Sequence, residues 1–252
     1  MRNILEAVAA GEMTPEAAEA ELAGYVTTEA GRFDAARESR SGVPEAVLAA
    51  GKTPDETVTL AAAAVESTGR ALITRIDGDT AAALYERFGE DLSLDERAGT
   101  ATVHAPAFEL PDLDAEVAIV TAGTSDAEPA GEAAAVVREM GADVVRVDDV
   151  GVASIDRALD QRDVLTGSDV LIVAAGREGA LPTVIAGMVD TPVIGLPVST
   201  GYGHGGKGEA ALSGMIQSCT ALSVVNIDAG FTAGTQAGLI ARRIDAARAE
   251  GE

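Results

Sequence analysis

The sequence has one cysteine, no tryptophan, three tyrosines, four phenylalanines and two histidines in 252 residues. A single thiol, Cys219, closes no intrachain disulfide, so nothing in the cysteine usage argues for secretion. With His104 and His204 the only histidines, no Cys/His metal cluster is visible. Lysine is as scarce. Lys52 and Lys207 are the only two, and 41 acidic against 18 basic residues leave a formal charge of -23. Such a charge repels nucleic acid and anionic membrane, so neither is expected as a partner. No apolar run approaches the ~20 residues of a membrane helix. The N-terminal MRNILEAVAAGEM carries Glu6 inside its short apolar stretch, unlike a signal-peptide core. A soluble, cytoplasmic chain is expected.

What is present is aliphatic and acidic. Hydrophobic residues make up 47% of the chain, and with so few aromatics Ala, Val, Leu and Ile must do the packing. The length holds one large domain or two small ones. An acidic, lysine-poor composition along the whole length fits a high-salt cytoplasm, where screening removes most self-repulsion. A halophilic protein is the expectation.

The organising stretch is EVAIVTAGTSD (116–126). Val117 to Val120 form an unbroken apolar run, as in a strand buried on both faces of a parallel sheet. Gly123, Thr124, Ser125 and Asp126 then make a hydroxyl-rich turn, and Pro129 suits the first position of a following helix. Strand, glycine turn and helix N-terminus together offer an anion converging backbone N–H groups. Ser125 with Glu128 three residues on also reads as a plain capping box.

Before that stretch, residues 1 to about 30 read as helical, with a start at Thr14-Pro15-Glu16. Ala46 to Leu48 reads as a short strand, and Thr53 with Glu56 caps an alanine-rich helix running to Ser67. Ala71 to Arg75 is a strand, Thr80 to Phe88 a helix and Thr100 to His104 a strand. Ala105 to Asp112 reads as a linker. The division is therefore an N-terminal helical and small α/β region, 1–112, and a second domain, 113–252. In the second, strands at Val117–Val120, Val144–Val147, Val170–Ala174, Val193–Leu196 and Leu222–Val225 alternate with helices. Ala133, Val136, Val137 and Met140 mark one helical face. This alternation implies right-handed βαβ units in an α/β, doubly wound parallel sheet, a three-layer flavodoxin/Rossmann-like arrangement. Ligands bind such sheets beyond the carboxyl ends of the strands.

The segments after the strands are small and polar: AGTSD (122–126), AAGREGALP (174–182), LPVSTGYGHGGKGE (196–209) and NIDAGFTAG (226–234). The five glycines between Gly201 and Gly208 are either a flexible loop or a close wrap around a ligand. Cys219 keeps the i, i+3, i+4, i+7 spacing with Leu212, Met215 and Ile216, which places the thiol on the buried face of a helix. That position reads as a packed structural cysteine, near a helix C-terminus whose dipole disfavours the thiolate. A cationic substrate would reverse the second point by stabilising the thiolate itself.

Four motifs together resemble the LarB family of pyridinium-3,5-biscarboxylic acid mononucleotide synthases: GTSD (123–126), AGREGALPTVIAG (175–187), PVIGLPVSTGYG (192–203) and SCTALSVVNIDAGF (218–231). The catalytic domain of that family is similar to PurE. SGVPEAVLAAGKTP (41–54) also resembles the LarB N-terminal region, which PurE lacks. The resemblance implies a PurE-like catalytic domain that carboxylates C5 of the pyridinium ring of nicotinic acid adenine dinucleotide. It further implies hydrolysis of the phosphoanhydride, with release of AMP, to give the first intermediate of the nickel-pincer nucleotide of lactate racemase. Cys219 aligns with the family's nucleophile. Asp126 and Ser125 match a motif that binds ribose or phosphate or helps transfer a proton, and Glu178 falls beside the ring or the incoming carbon dioxide. Gly123, Thr124, Gly176, Gly179, Ala180, Leu181, Ser199, Gly201 and Gly203 complete the implied substrate-binding set. Carbon dioxide or bicarbonate is the implied co-substrate. Phosphoanhydride hydrolysis normally wants a divalent ion, so magnesium (Mg2+) is expected, without a visible ligand set.

His204 and Lys207 lie where the resemblance gives no match. PurE carries a histidine after its second strand, where this chain has Asp156-Arg157, which counts against an aminoimidazole ribonucleotide carboxylase or mutase. A non-catalytic nucleotide-binding protein with Cys219 in its core is the third reading. PurE-like domains form octamers, so a homo-octamer is expected. The stripe Ile240, Ile244 and Ala247 either serves that assembly or packs on its own sheet.

Overall fold

A computed structural model describes residues 2–11, 15, 18, 22, 24–201 and 203–251. The chain forms two compact units, Met1–Glu109 and Leu110–Glu252, and the break between them lies inside the 105–112 segment. The helix start read at Thr14-Pro15-Glu16 rests on Thr14 and Glu16, which lie outside the described residues. No helix among the described residues is long and apolar enough to cross a membrane.

In the first unit a helix runs Arg2–Ala9, but helix does not continue to residue 30. Strands β1 (Val26–Thr28) and β2 (Gly31–Phe33) form an antiparallel hairpin instead. Its turn is closed by Thr28, whose hydroxyl accepts from the Ala30 amide at 3.2 Å and donates to the Gly31 carbonyl at 3.0 Å. β-Branched Val26, Thr27 and Thr28 favour extended backbone there. Strands β3 (Ala46–Leu48), β4 (Arg70–Thr74), β5 (Leu92–Asp95) and β6 (Thr100–His104) make a four-stranded sheet in the order β3-β4-β6-β5. The Pro54–Thr68 helix opens on a capping box, with Thr53 accepting from the Glu56 amide and Glu56 accepting from the Thr53 amide. Leu60, Ala64, Ile73, Leu84 and Val103 are among its core residues.

The second unit holds β7 (Glu116–Thr121), β8 (Asp143–Val147), β9 (Val170–Ala175), β10 (Val193–Pro197) and β11 (Ser223–Val224) in one sheet ordered β11-β10-β9-β7-β8. Every pairing is parallel. The unit's first strand is thus central, its second on one side and its last three on the other, a flavodoxin-like order whose switch point falls between β7 and β9. Alternate residues of β7 feed two cores. Val117 and Ile119 join the layer beneath helices Ala127–Glu139 and Gly230–Gly251. Ala118 and Val120 join the opposite layer with Leu165, Leu181, Ile185, Ala211 and Met215. A strand buried on both faces has to read as a continuous apolar run, and this one does.

The Gly230–Gly251 helix lies directly on Ala127–Glu139 through glycines spaced four apart. A Cβ on Gly234 would sit 2.6 Å from the Ala133 carbonyl oxygen, whereas one on Gly238 would meet only the Met140 side chain, at 2.5 Å. Gly234→Ala is therefore expected to destabilise by about 2 kcal/mol, because overpacking against backbone outweighs the ~1 kcal/mol that alanine gains in helix propensity. Gly238→Ala should cost less, since methionine repacks. Chemical denaturation of both variants checks the ranking; equal midpoints would refute it. Ile240 and Ile244 pack on the same core and Ala247 is exposed, so that stripe serves its own sheet.

Candidate active site

The loops beyond the carboxyl ends of β7, β9 and β10 converge on the switch point. After β7 a short 3-10 turn, Thr124–Asp126, precedes the Ala127–Glu139 helix. The cap is not the expected Ser125–Glu128 pair. Asp126 turns back and accepts the Gly123 amide at 2.8 Å, with the Ser125 hydroxyl 3.5 Å from its other oxygen. Pro129 takes the third position of the helix rather than the first, where its missing N–H still costs no intrahelical bond.

Asp126 is 3% exposed. Burial raises its carboxyl above the ordinary value, against the opposing pull of the Gly123 amide, the Ser125 hydroxyl and the Ala122 and Gly176 amides. A buried carboxyl that holds its proton more tightly than usual, beyond the carboxyl end of β7, suits proton transfer. A Cβ on Gly176 would lie 3.6 Å from Asp126 Oδ1 and 3.1 Å from the Thr200 carbonyl oxygen, so a glycine here lets three loops meet. The Thr200 hydroxyl donates to the Ser125 carbonyl at 3.1 Å, tying the β10 loop to the β7 turn.

The turn after β9 is shaped by Gly179, with φ +65° and the Ala211 carbonyl oxygen 2.6 Å from where a Cβ would stand. Both the left-handed backbone and the close approach exclude a side chain. Ala180 starts the following helix, and Leu181 buries its whole side chain in the core. Glu178 is exposed beside these residues. Ser199 donates its amide to Asp228 Oδ1 at 2.8 Å, and Gly201 lies against the Arg177 amide nitrogen. Gly203, His204 and Lys207 stand farther along the same loop, all three exposed. Gly123, Thr124, Ser125, Asp126, Gly176, Ser199 and Gly201 thus come together.

Cys219 does not join them. Its helix ends at Ile216, so the thiol is not on a buried helical face. Ser218 stops the helix: its hydroxyl accepts the Thr220 amide at 3.2 Å and pairs with the Thr220 hydroxyl at 2.7 Å, a local turn that competes with helical bonding. Cys219 is exposed in that turn. A Cβ on Gly187, which closes the helix descending from the crevice, would lie 3.9 Å from Thr220 Cγ2. Ser223, four residues on, pairs with Ile194 near the start of β10. The thiol therefore sits at the amino-terminal edge of the sheet.

Two family models account for these two units. The LarB/PurE-like N-terminal domain matches residues 25–105, and AIR carboxylase matches residues 116–251, more than half of the chain. The chain is a LarB-family protein with a PurE-like domain. An uncharacterized protein of Methanocaldococcus jannaschii is 40% identical over 218 residues, covering 84% of each chain. A crystal structure of a Treponema denticola PurE2 variant matches with a TM-score of 0.41 at 20% identity, covering 51% of this chain and 78% of that one. Membership makes this LarB-family chain a carboxylase-type enzyme.

Two residues of this LarB-family site escaped the sequence reading. Arg157 donates to the carbonyls of Asp149, at 2.8 Å, and Gly151, at 3.3 Å, and pairs with the Asp149 carboxylate at 3.2 Å. Gly151 itself packs against the Ala122 carbonyl, which puts a guanidinium beside the Gly123 turn. Asp156, the neighbour of Arg157, is exposed. Asp228, at φ +53°, holds Ser199 and donates its own amide to the Pro197 carbonyl at 2.9 Å. In the sequence Asp228 stood inside the SCTALSVVNIDAGF motif, two residues before the Gly230–Gly251 helix, with nothing to mark it out from its neighbours. Among the described residues, no group of three or more His, Cys, Asp or Glu side chains converges to hold a metal ion.

Proposed function

We propose that this protein carboxylates C5 of the pyridinium ring of nicotinic acid adenine dinucleotide and hydrolyses its phosphoanhydride, releasing AMP. The product is pyridinium-3,5-biscarboxylic acid mononucleotide, for the nickel-pincer nucleotide of lactate racemase. The observation that carries this reading is the exposure of Cys219. A thiol kept for packing would be buried with the other apolar groups, whereas a nucleophile has to be reached.

The chemistry starts from an electron-poor ring that cannot attack carbon dioxide. Addition of the Cys219 thiolate at C4 neutralises the ring nitrogen and leaves an enamine, whose C5 forms the new bond to carbon dioxide. A base removes the C5 proton, the C4–S bond breaks and the ring regains aromaticity. In this reading Asp126, its carboxyl raised by burial, takes part in proton transfer, and Arg157 offers charge for a substrate phosphate or carboxylate. The enzyme is proposed to act as a homo-octamer.

Mass spectrometry of the products formed from nicotinic acid adenine dinucleotide and bicarbonate in molar salt tests the reading. AMP together with the biscarboxylated mononucleotide is expected. An unchanged dinucleotide alongside turnover of aminoimidazole ribonucleotide would replace it with the PurE-type reaction.

A further inference from the structure

We propose that Asp228 is a positioning residue that holds the loop after β10 in the shape the switch-point site needs; the inference rests on the carboxylation proposed above. Residues 226–229 join β11 to the Gly230–Gly251 helix. Asn226 folds them into a turn, its side-chain oxygen accepting the Ile227 amide at 2.8 Å and its carbonyl the Ala229 amide at 3.2 Å. Within the turn Asp228 takes φ +53°, a left-handed state that Asp tolerates better than most residues. The turn is fixed from both sides. The Asp228 amide donates to the Pro197 carbonyl at 2.9 Å. Buried Glu132 accepts the Phe231 amide at 3.0 Å, and Gly230 leaves no room for a side chain against the Pro129 carbonyl.

Both ends of the glycine-rich segment between β10 and the Glu209–Ile216 helix rest on this turn. At its start, Asp228 Oδ1 accepts the Ser199 amide at 2.8 Å. At its end, Gly208 has φ +81°, with the Ile227 side chain 2.7 Å from where a Cβ would stand. Glycines carry little conformational preference of their own, so the course of the segment is set where it is held.

From Ser199 the contacts lead to the proton-transfer group. Thr200, the next residue, donates its hydroxyl to the Ser125 carbonyl at 3.1 Å, and the Ser125 hydroxyl stands 3.5 Å from Asp126 Oδ1. The Thr200 carbonyl oxygen lies 3.1 Å from where a Cβ on Gly176 would be. Asp228 thus acts on the Asp126 turn through Ser199 and Thr200. Misplacing a reacting group by about 1 Å costs up to about a hundredfold in rate, so a side chain remote from the chemistry can govern it.

Three substitutions separate the side chain from the backbone. Asp228→Gly keeps the left-handed turn and removes the acceptor, whereas Asp228→Asn keeps both an acceptor and the tolerance for positive φ. Thr200→Val removes the hydroxyl at nearly constant shape. In molar potassium chloride, Asp228→Gly is expected to lose roughly tenfold to a hundredfold in kcat, and Asp228→Asn to keep at least about a third of it. Thr200→Val should lose roughly tenfold, and the Thr200→Val/Asp228→Gly double variant no more than Asp228→Gly alone, because both break one chain of contacts. In the substrate-free protein, hydrogen exchange across residues 198–204 should quicken in Asp228→Gly and not in Asp228→Asn, while β7 and β9 exchange as in wild type. A wild-type rate in Asp228→Gly, losses that multiply in the double variant, or unchanged exchange across 198–204 would overturn the positioning role and leave the reaction standing. So would an asparagine variant as slow as the glycine one, which would make the charge itself the working part. A wild type that carboxylates no dinucleotide overturns the reaction, and the positioning role with it.

Discussion

Cys219→Ser should keep its fold and lose ring carboxylation by roughly 10⁴-fold or more, the scale on which enzymes lose activity when an attacking nucleophile is removed. The side chain is exposed in a turn held by Ser218 and Thr220 rather than by the thiol, so the folding cost should stay within about 0.5 kcal/mol. The loss is chemical. A thiolate adds reversibly to a pyridinium and leaves again, whereas an alcohol is far too basic to be present as its anion at neutral pH. Circular dichroism and denaturation should match wild type while the biscarboxylated product disappears. A serine variant that carboxylates at the wild-type rate would remove Cys219 from the mechanism.

Raising salt from 0.1 M to 1 M should increase stability by several kcal/mol. Across that range the Debye length falls from ~10 Å to ~3 Å. The chain carries 41 acidic against 18 basic residues, so net self-repulsion opposes the compact state at low salt. Screening also weakens ion pairs, but the ones present are mostly at the surface, as with Arg40–Asp34 and Arg146–Asp148, and exposed pairs are each worth about 0–1 kcal/mol. Relief of repulsion should therefore win. A gain of ~3 kcal/mol corresponds to a rise of roughly 6–12 °C in melting temperature for a chain of this size. A melting temperature that stays flat between the two salt concentrations would show that composition is a poor guide to this surface.

What the sequence determined by itself was local in kind. Continuous runs such as VAIV (117–120) and VLIVA (170–174) could only be strands buried on both faces, and their alternation with helices implied the parallel sheet that β7 to β11 form. The Thr53–Glu56 box and the family motifs were equally legible, because each depends on residue types at short spacing. Only the tertiary structure decided the rest. The periodicity through Leu212, Met215, Ile216 and Cys219 could not say where the helix stops; the Ser218–Thr220 turn does, and it leaves the thiol exposed. The burial that raises the Asp126 carboxyl depends on Gly176, fifty residues on, and on loops brought together by strand order. So does the separation of Cys219 from that crevice. Spacing along a chain says nothing about which edge of a sheet a loop occupies, because that depends on whether the chain is leaving a strand or about to enter one.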